Sequence, residues 1–229
     1  MCGRFTLKSP PKSVADLFTT LQKTLAFDAP ESIATSYNVA PTQNVLTARQ
    51  RKPGELEFAE LRWGLVPFWA KDLKIGSRML NARGETVATK PSFRSAFKKK
   101  RCLVVADGFY EWQKLDDGSK QPFYITMKHG GPFCFAGLWE TWGKDEEYTE
   151  TCTVITTEAN EIMQPLHDRM PVILEEEQYE MWLDPEFQDT QALEGQLKQY
   201  SSDQMLTTPV STFVNKVANN TPECIEPVA

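Results

Sequence analysis

Cys2 has the most distinctive potential chemistry in the chain, because it directly follows the initiator methionine. Removal of Met1 would leave a thiol and an α-amine on adjacent carbons. An α-amine has a pKa of roughly 7.7–8.0, so more of it is neutral at pH 7 than of a lysine amine. Such an aminothiol can form an imine with an aldehyde and close a thiazolidine ring, or act as an N-terminal nucleophile that cleaves amides. Cys2 can equally be one residue of a frayed terminus.

Four short segments carry the other groups suited to catalysis or anion binding. They are Gly3-Arg4-Phe5, Asn81-Ala82-Arg83-Gly84-Glu85, Asp107-Gly108-Phe109-Tyr110-Glu111-Trp112 and Leu166-His167-Asp168-Arg169-Met170-Pro171. Carboxylates and imidazoles serve in general acid–base catalysis, and an arginine offers a planar fork for phosphate or carboxylate. Taken alone, Glu111 is compatible with a surface acid and His167 with a loop histidine. Spacing along the chain does not bring the four segments together.

The run from Trp63 to Trp69 contains two indoles, a phenylalanine and a proline within seven residues. Exposed rings of this kind stack on nucleic-acid bases in binding proteins. Because Trp63 lies on a predicted strand, we assign it to the core. Trp69 follows a proline and precedes a polar segment, so it is the better binding candidate. The basic run 98–101 is more typical of a solvated turn than of a specific contact.

The composition is that of a globular protein, with 229 residues of which 41% are hydrophobic and 24% charged. No apolar run approaches the roughly 18 residues that a membrane span needs. The five cysteines are scattered without a C-x-x-C pair, and there are two histidines, His129 and His167. This spacing fits neither a disulfide framework nor a zinc site. We therefore expect no metal and no cofactor.

Charge is unevenly distributed along the chain, although the net charge is −6. Residues 1–110 contain 18 basic and 9 acidic side chains, a net charge of +9. Residues 111–229 contain 7 basic and 22 acidic side chains, a net charge of −15. Such asymmetry can indicate an anionic partner bound by one face. It is also compatible with two halves that mix in one fold and carry their charges on unrelated surfaces.

The apolar pattern predicts an α+β fold in a single domain, residues 1–229, with many short, mostly antiparallel strands curled into a barrel-like core flanked by helices. Helical spacing of apolar residues predicts a helix over 10–26. A one-step slip in the strand at 55–66 predicts a bulge near 59–60. Further extended runs are predicted at 35–40, 43–50, 101–106, 122–127, 133–139, 151–157 and within 205–217. Two more helices are predicted near 175–183 and 190–199.

Ordered motifs along the chain resemble those of the SRAP (SOS response-associated peptidase) family. They are M-C-G-R-F, Y-N-V-A-P-T, W-G-L-V-P-F-W, N-A-R-G-E-T, A-D-G-F-Y-E-W, F-A-G-L-W, T-T-E-A-N, H-D-R-M-P-V-I-L and V-S-T-F-V-N. The match extends from Cys2 almost to the carboxyl end, while the loops 114–121 and 143–150 are unmatched. The resemblance implies a DNA-repair protein that covalently captures abasic sites in single-stranded DNA by lyase-like chemistry. The activity that the resemblance implies can include autocatalytic removal of Met1.

The resemblance also implies roles for individual residues. Cys2 would form the thiazolidine crosslink, and Glu111 and His167 would supply the acid–base catalysis that opens the sugar ring. Asn81 would hold Cys2 and the sugar oxygen in register, and Thr156 is a weaker pocket candidate. The implied DNA contacts are phosphate-binding arginines, stacking tryptophans and a proline wedge: Arg4, Arg83 and Arg169, Trp69 and Trp112, and Pro41. A basic N-terminal half can supply such a groove in an acidic protein.

The implied partner is single-stranded DNA that contains abasic sites, with no membrane and no metal. We expect a monomer in the bacterial cytoplasm, at the nucleoid when bound to DNA. Two alternatives stay open. A thiol peptidase or N-terminal nucleophile amidohydrolase would use the same Cys2, Glu111 and His167. In a non-covalent module that binds single-stranded DNA, Cys2 would be incidental.

Overall fold

The computed structural model describes residues 2–144 and 147–228, which fold mainly into strands joined by short helices. The strands are β1 (Phe5–Leu7), β2 (Ser36–Val39), β3 (Asn44–Lys52), β4 (Glu55–Trp63), β5 (Asn81–Arg83), β6 (Arg101–Ala106), β7 (Gly108–Lys114), β8 (Lys120–Met127), β9 (Phe133–Lys144), β10 (Glu147–Glu158), β11 (Arg169–Pro171), β12 (Ile173–Leu174) and β13 (Met205–Pro209). The α-helices are α1 (Pro11–Asp16), α2 (Gly84–Val87), α3 (Arg94–Lys99), α4 (Tyr179–Leu183) and α5 (Thr190–Glu194). The 3₁₀ helices are Thr19–Lys23, Leu73–Arg78, Glu176–Gln178, Ser202–Gln204, Thr212–Asn215 and Pro222–Ile225.

A closed ring of five strands forms the centre of the molecule. Strand β10 pairs with β4, β4 with β3, β3 with β6, β6 with β9, and β9 with β10 again. The pairings of β10 with β4 and β5 are parallel, and the other strand pairs in the described part of the chain are antiparallel. Closure satisfies the backbone groups that an open sheet would leave at its edges. The prediction of an α+β fold with a barrel-like core is confirmed.

A second sheet of five strands, in the order β13-β8-β7-β1-β2, packs against this barrel. Phe5 of β1 and Phe109 of β7 lie edge-to-face with Phe135 of β9, at centroid distances of 5.9 Å. Strand β1 lies between β7 and β2, so its backbone is paired on both sides. This position fixes the first residues of the chain against the barrel.

Several barrel strands bury both of their faces. Along β6, Cys102 and Val104 lie in the apolar cluster that contains Phe5, whereas Leu103 and Val105 lie in a second cluster beneath the helices. Such strands read as continuous apolar runs. In β4, Leu61 and Trp63 lie in the first cluster and Leu56 in the second.

The two-faced burial of β4 explains the slip in its apolar pattern without a bulge. The register between β3 and β4 runs through Ala59 and Glu60 without interruption, and its irregularity lies between Gln50 and Lys52. The bulge predicted near 59–60 is therefore wrong. The strand changes the face that carries its large apolar side chains, and its backbone continues regularly.

The predicted helix over 10–26 is also wrong as a single helix. Helix α1 ends at Asp16, and a separate 3₁₀ helix, Thr19–Lys23, follows. The Thr19 hydroxyl donates to the Asp16 carbonyl oxygen at 2.8 Å, a local bond of the kind that competes with helix continuation. The helix predicted over 190–199 ends early, at Glu194, and 205–217 holds one strand followed by a 3₁₀ helix. None of the helices among the described residues has the length and apolar content to cross a membrane.

Arg101 is buried, although the basic run 98–101 suggested a solvated turn. Its guanidinium donates to five backbone carbonyl oxygens, those of Phe97, Lys98, Trp182, Asp184 and Phe187. Burial lowers the pKa of Arg101 to about 10, so the group stays charged at neutral pH. This one side chain joins the end of α3 to the segment that follows α4.

Replacement of Arg101 by methionine is expected to lower the free energy of unfolding by about 3 kcal/mol or more, because it leaves buried carbonyl groups without donors. Urea denaturation measures the change. The exposed Lys99 supplies the matched control, since Lys99→Met removes the same charge and should alter stability by less than about 0.5 kcal/mol. Equal losses in the two variants would contradict the structural role of Arg101.

Candidate functional site

The site begins at Cys2, which is fully buried although it stands beside the chain terminus. Antiparallel pairing aligns Phe5 with Phe109, and the Tyr110 amide donates to the Arg4 carbonyl oxygen at 3.0 Å. The same register carried one residue further brings Glu111 opposite the residues that precede β1. Pairing of β1 with β7 therefore brings the thiol and the carboxylate into one neighbourhood.

Asn81 fixes the main chain at Cys2. Its Nδ2 donates to the Cys2 carbonyl oxygen at 2.9 Å. Asn81 begins β5, which pairs in parallel with β10 through Val154. Its Oδ1 is buried and accepts no hydrogen bond from the residues that the structure describes. The amide thus holds Cys2 with one end and has an acceptor available at the other.

Glu111 is a buried carboxylate, with 3% of its surface exposed. Burial raises its pKa, and the negative charge of Asp168 raises it further. Burial also raises the pKa of the Cys2 thiol, with a second contribution from the charge of Glu111. The two groups therefore interact electrostatically, and each is held toward its neutral form.

His167 lies at the end of the loop between β10 and β11, beside the exposed Asp168. Burial lowers its pKa, so the ring is neutral at pH 7. The Arg169 amide donates to His167 Nδ1 at 3.0 Å. Asp168 Oδ1 also lies 2.7 Å from Nδ1, but a nitrogen that accepts from the backbone cannot donate to this carboxylate. We therefore assign the ring proton of neutral His167 to Nε2. The contact between His167 and Asp168 is then not an ion pair.

Arg83 and Arg169 line a cavity of about 350 Å³ next to Asp168. Arg83 is exposed at the end of β5. Arg169 is largely buried, and its two Nη atoms lie 2.6 and 2.9 Å from the carboxylate oxygens of Glu85. It also donates to the Thr156 carbonyl oxygen at 2.7 Å, and Thr156 itself is fully buried. Arg83 is therefore directly available to an anion, whereas Arg169 already has a carboxylate partner.

The remaining candidates from the sequence lie around the second sheet and the loop after β4. Arg4 is half-buried and donates to Asn38 Oδ1 at 2.6 Å and to the Val214 carbonyl oxygen at 3.0 Å. The Trp112 indole is partly exposed and donates to Asn215 Oδ1 at 2.7 Å. Pro41 is partly exposed. Trp69 is exposed to 49%.

Three residues that interact with the candidate site residues were not predicted from the sequence. Glu85 and Asp168 lie within the motifs named above. Their residue types do not reveal that Glu85 pairs with Arg169 or that the charge of Asp168 raises the pKa of Glu111. Asn38 is buried, accepts from Arg4, and donates to three carbonyl groups of the 214–219 segment. A buried asparagine in Y-N-V-A-P-T carries no spacing signal that could reveal this role.

In the described ranges 2–144 and 147–228, no three His, Cys, Asp or Glu side chains cluster closely enough to hold a metal ion. The chemistry available is that of Cys2 with Asn81, Glu111 and His167, next to an arginine-lined cavity. The fold and site define an α+β barrel protein in which a buried cysteine and carboxylate lie beside an asparagine amide at the amino end. The partly exposed His167 lies next to Asp168, whose charge acts on that carboxylate.

The chain belongs to the SOS response associated peptidase (SRAP) family, whose model matches residues 1–217. It is 46% identical over 227 residues to the abasic site processing protein YoqW of Bacillus subtilis (strain 168), covering 99% of both chains. It is 36% identical to the abasic site processing protein HMCES of Gallus gallus, over 84% of this chain and 66% of that protein. A solved structure of a protein from Bacteroides thetaiotaomicron matches with a TM-score of 0.84 at 27% identity over all of both chains. The resemblance to the family is confirmed.

The raised pKa of Glu111 predicts how stability depends on pH. The folded state binds a proton at Glu111 more tightly than the unfolded state does, so ionisation weakens folding as pH rises through the unfolded and then the folded pKa. Glu111→Gln removes this cost. Its free energy of unfolding relative to wild type should increase from pH 4 to pH 7, by about 1.4 kcal/mol per unit of pKa shift.

Urea unfolding at several pH values measures this difference. The exposed Glu161 provides the control, because Glu161→Gln removes the same charge from a carboxylate that is not buried. A difference for Glu111→Gln that stays constant with pH would contradict the assignment.

Proposed function

We propose that this protein binds single-stranded DNA and covalently captures abasic sites through Cys2 after removal of Met1. The observation that carries the proposal is the burial of Cys2 beside Glu111, with its carbonyl held by Asn81 Nδ2 at 2.9 Å. The names of the relatives in Bacillus subtilis and Gallus gallus support abasic-site processing as the activity. The whole chain acts as one domain and as a monomer, in the cytoplasm and at the nucleoid when bound to DNA.

Capture begins with the closed sugar of the abasic site, which must open before it can react. The bond between C1′ and the ring oxygen breaks while a proton leaves the C1′ hydroxyl and another reaches the ring oxygen. Glu111, whose pKa is raised by burial, donates a proton, and neutral His167 accepts one. The acceptor oxygen of Asn81 holds the sugar hydroxyl in register. The product is the open-chain aldehyde.

The Cys2 amine then attacks the aldehyde carbon and forms an imine with loss of one water. The thiol adds across the imine carbon, its proton passes to the nitrogen, and a thiazolidine ring results. The raised pKa of the thiol keeps it protonated until this second step. The amine is therefore the first nucleophile, and the thiol makes the adduct durable.

The raised pKa of the Cys2 thiol also weighs against a second candidate function, that of a thiol peptidase, which the family description suggests. Catalytic cysteines of peptidases have lowered pKa values, because the thiolate is the attacking form. Burial at Cys2 acts in the opposite direction. Hydrolysis of a peptide with repeated turnover would favour this second candidate.

The remaining binding residues act on the strand around the lesion. Arg4, Arg83 and Arg169 contact phosphates, Trp69 and Trp112 stack on neighbouring bases, and Pro41 wedges the strand. Thr156 supports the pocket from beneath. Because both Nη atoms of Arg169 face Glu85, a phosphate must displace that carboxylate to reach the guanidinium.

The central test mixes the protein with single-stranded DNA that carries one abasic site and separates the products on a denaturing gel. We expect a heat-stable shifted band with abasic DNA, none with undamaged DNA, and none with Cys2→Ala or Cys2→Ser. Glu111→Gln and His167→Ala should slow band formation by about 10²- to 10⁴-fold. Mass spectrometry must first confirm loss of Met1. If protein of that mass forms no band, covalent capture is excluded.

Glu85→Gln should tighten the binding of undamaged single-stranded DNA about two- to five-fold at low salt. The substitution removes a negative charge that competes with phosphate for Arg169. Fluorescence anisotropy measures the affinity, and the exposed Glu161→Gln, which removes the same charge, is the control. Weaker binding of Glu85→Gln would show that Glu85 positions Arg169 and does not compete with the DNA.

A further inference from the structure

Strand β5 presents an amide and a guanidinium on one face. Side chains alternate along a strand, so Asn81 and Arg83 both point away from Ala82, which packs in the buried cluster beneath the helices. Positions two apart in a strand are separated by roughly 6.6 Å. Asn81 holds the Cys2 carbonyl oxygen. Arg83 therefore stands about one such step away from the reacting end of the site.

Arg83 has a charge that no protein group occupies. It is exposed, and among the residues that the structure describes its guanidinium makes neither a hydrogen bond nor an ion pair. The other two arginines of the candidate site differ, because Arg169 binds Glu85 and Arg4 binds Asn38. The planar fork of an unoccupied arginine suits one phosphate group.

The cavity that Arg83 lines also contains acceptors. Its other lining residues include the exposed Glu158 and Asp168. Carboxylates only accept hydrogen bonds when ionised, so they suit the hydroxyl groups of a sugar. They also repel a second phosphate, because like charges placed together are unfavourable. This lining fits a ligand with one phosphate and free hydroxyl groups.

The cavity borders the groups to which we assign ring opening. Asp168 lines the cavity, and its charge raises the pKa of Glu111. Arg169 also lines it, and the Arg169 amide donates to His167 Nδ1 at 3.0 Å. A sugar held in this cavity therefore lies beside the acid and the base.

The size of the cavity agrees with a single sugar. Its volume of about 350 Å³ is near the lower end of the range for small-molecule sites, roughly 300–1,000 Å³. An open-chain pentose 5-phosphate extends roughly 7 Å from C1 to phosphorus, across six bonds of about 1.5 Å each. This length is similar to the separation of Asn81 and Arg83 along β5.

We propose that the site also captures a free sugar phosphate, 2-deoxyribose 5-phosphate, which has the sugar of an abasic site without the DNA strand. Arg83 binds the phosphate, and Glu158 and Asp168 accept hydrogen bonds from the hydroxyl groups at C3 and C4. The inference rests on the proposed function for the loss of Met1 and the chemistry of Cys2. It adds a small-molecule substrate and assigns roles to two carboxylates that the DNA strand does not need.

The reaction balances without any further reactant. Ring opening converts the hemiacetal into the aldehyde with no change in composition. The Cys2 amine adds to C1, and one water leaves as the imine forms. The thiol then adds across the imine, its sulfur to C1 and its proton to the nitrogen. The product has the mass of the protein plus the sugar phosphate less one water, and it blocks the site to abasic DNA.

Intact-protein mass spectrometry tests the proposal by following this adduct over time. The protein without Met1 is compared with a peptide of residues 2–6, which has the same aminothiol and no fold. The protein should react with 2-deoxyribose 5-phosphate about 10²- to 10⁴-fold faster than the peptide, the range for acid–base catalysis. It should also prefer this substrate to unphosphorylated 2-deoxyribose by about 10- to 150-fold, the range for one charge-assisted contact. The peptide should react nearly equally with both sugars.

A pair of arginine variants tests the phosphate contact. Arg83→Met should lower the ratio of the rates for the phosphorylated and unphosphorylated sugars to within about three-fold of one, because the charge-assisted contact is lost. Arg78 is exposed and lies outside the lining of the cavity, so Arg78→Met should keep the preference. Circular dichroism checks that both variants fold.

Equal rates for the protein and the peptide would overturn the proposal, as would equal ratios for the Arg83 and Arg78 variants. Normal capture of abasic DNA on the denaturing gel, with a sugar phosphate rate no faster than that of the peptide, would remove this inference alone. Failure with both substrates in protein that has lost Met1 would remove the proposed function as well. Fast reaction with the sugar phosphate and none with abasic DNA would leave capture of the small molecule as the activity.

Discussion

The pairing of β1 with β7 and β2 is the interaction on which the candidate site depends. Residues at the start of a chain are normally frayed, since little holds them. Here three residues, Phe5–Leu7, occupy the interior of a sheet and use both backbone edges. Arg4 extends the attachment, because it and its acceptor Asn38 both bind carbonyl groups of the C-terminal segment. The cysteine is thereby held beside Asn81 and Glu111, which come from distant parts of the sequence.

The site itself consists of polar groups inserted into an apolar cluster. Cys2, Phe5 and Leu166 belong to the same cluster of buried side chains, which leaves little water to stabilise charge. Burial raises the pKa of both the thiol and the Glu111 carboxyl and lowers that of His167, so all three favour their neutral forms.

Sequence reasoning identified all five strands of the barrel, because they are rich in apolar and β-branched residues. The same property misled it at β4, where apolar residues on opposite faces looked like a bulge. It missed β7 as a strand, although Glu111 lies on it, since G-F-Y-E-W mixes large and charged residues. The residue types of the site were readable from motifs, but their partners were not. The Glu85–Arg169 pair and the Asp168–Glu111 interaction join elements far apart in the chain, and no local pattern encodes their approach.

Closure of the barrel has a consequence for how the protein is made. Strand β4 pairs with β10, which lies about 90 residues further along the chain, through Arg62 with Thr151 and Trp63 with Cys152. A ribosome that adds about 5–20 residues per second needs several seconds to produce that distance. During this interval one edge of β4 is unpaired, and β7, the partner of β1, is synthesised only about half-way through it. The nascent chain therefore exposes a strand edge that could pair with another chain, and its cysteine has all of Asn81, Glu111 and His167 available only after about three quarters of the chain has been made.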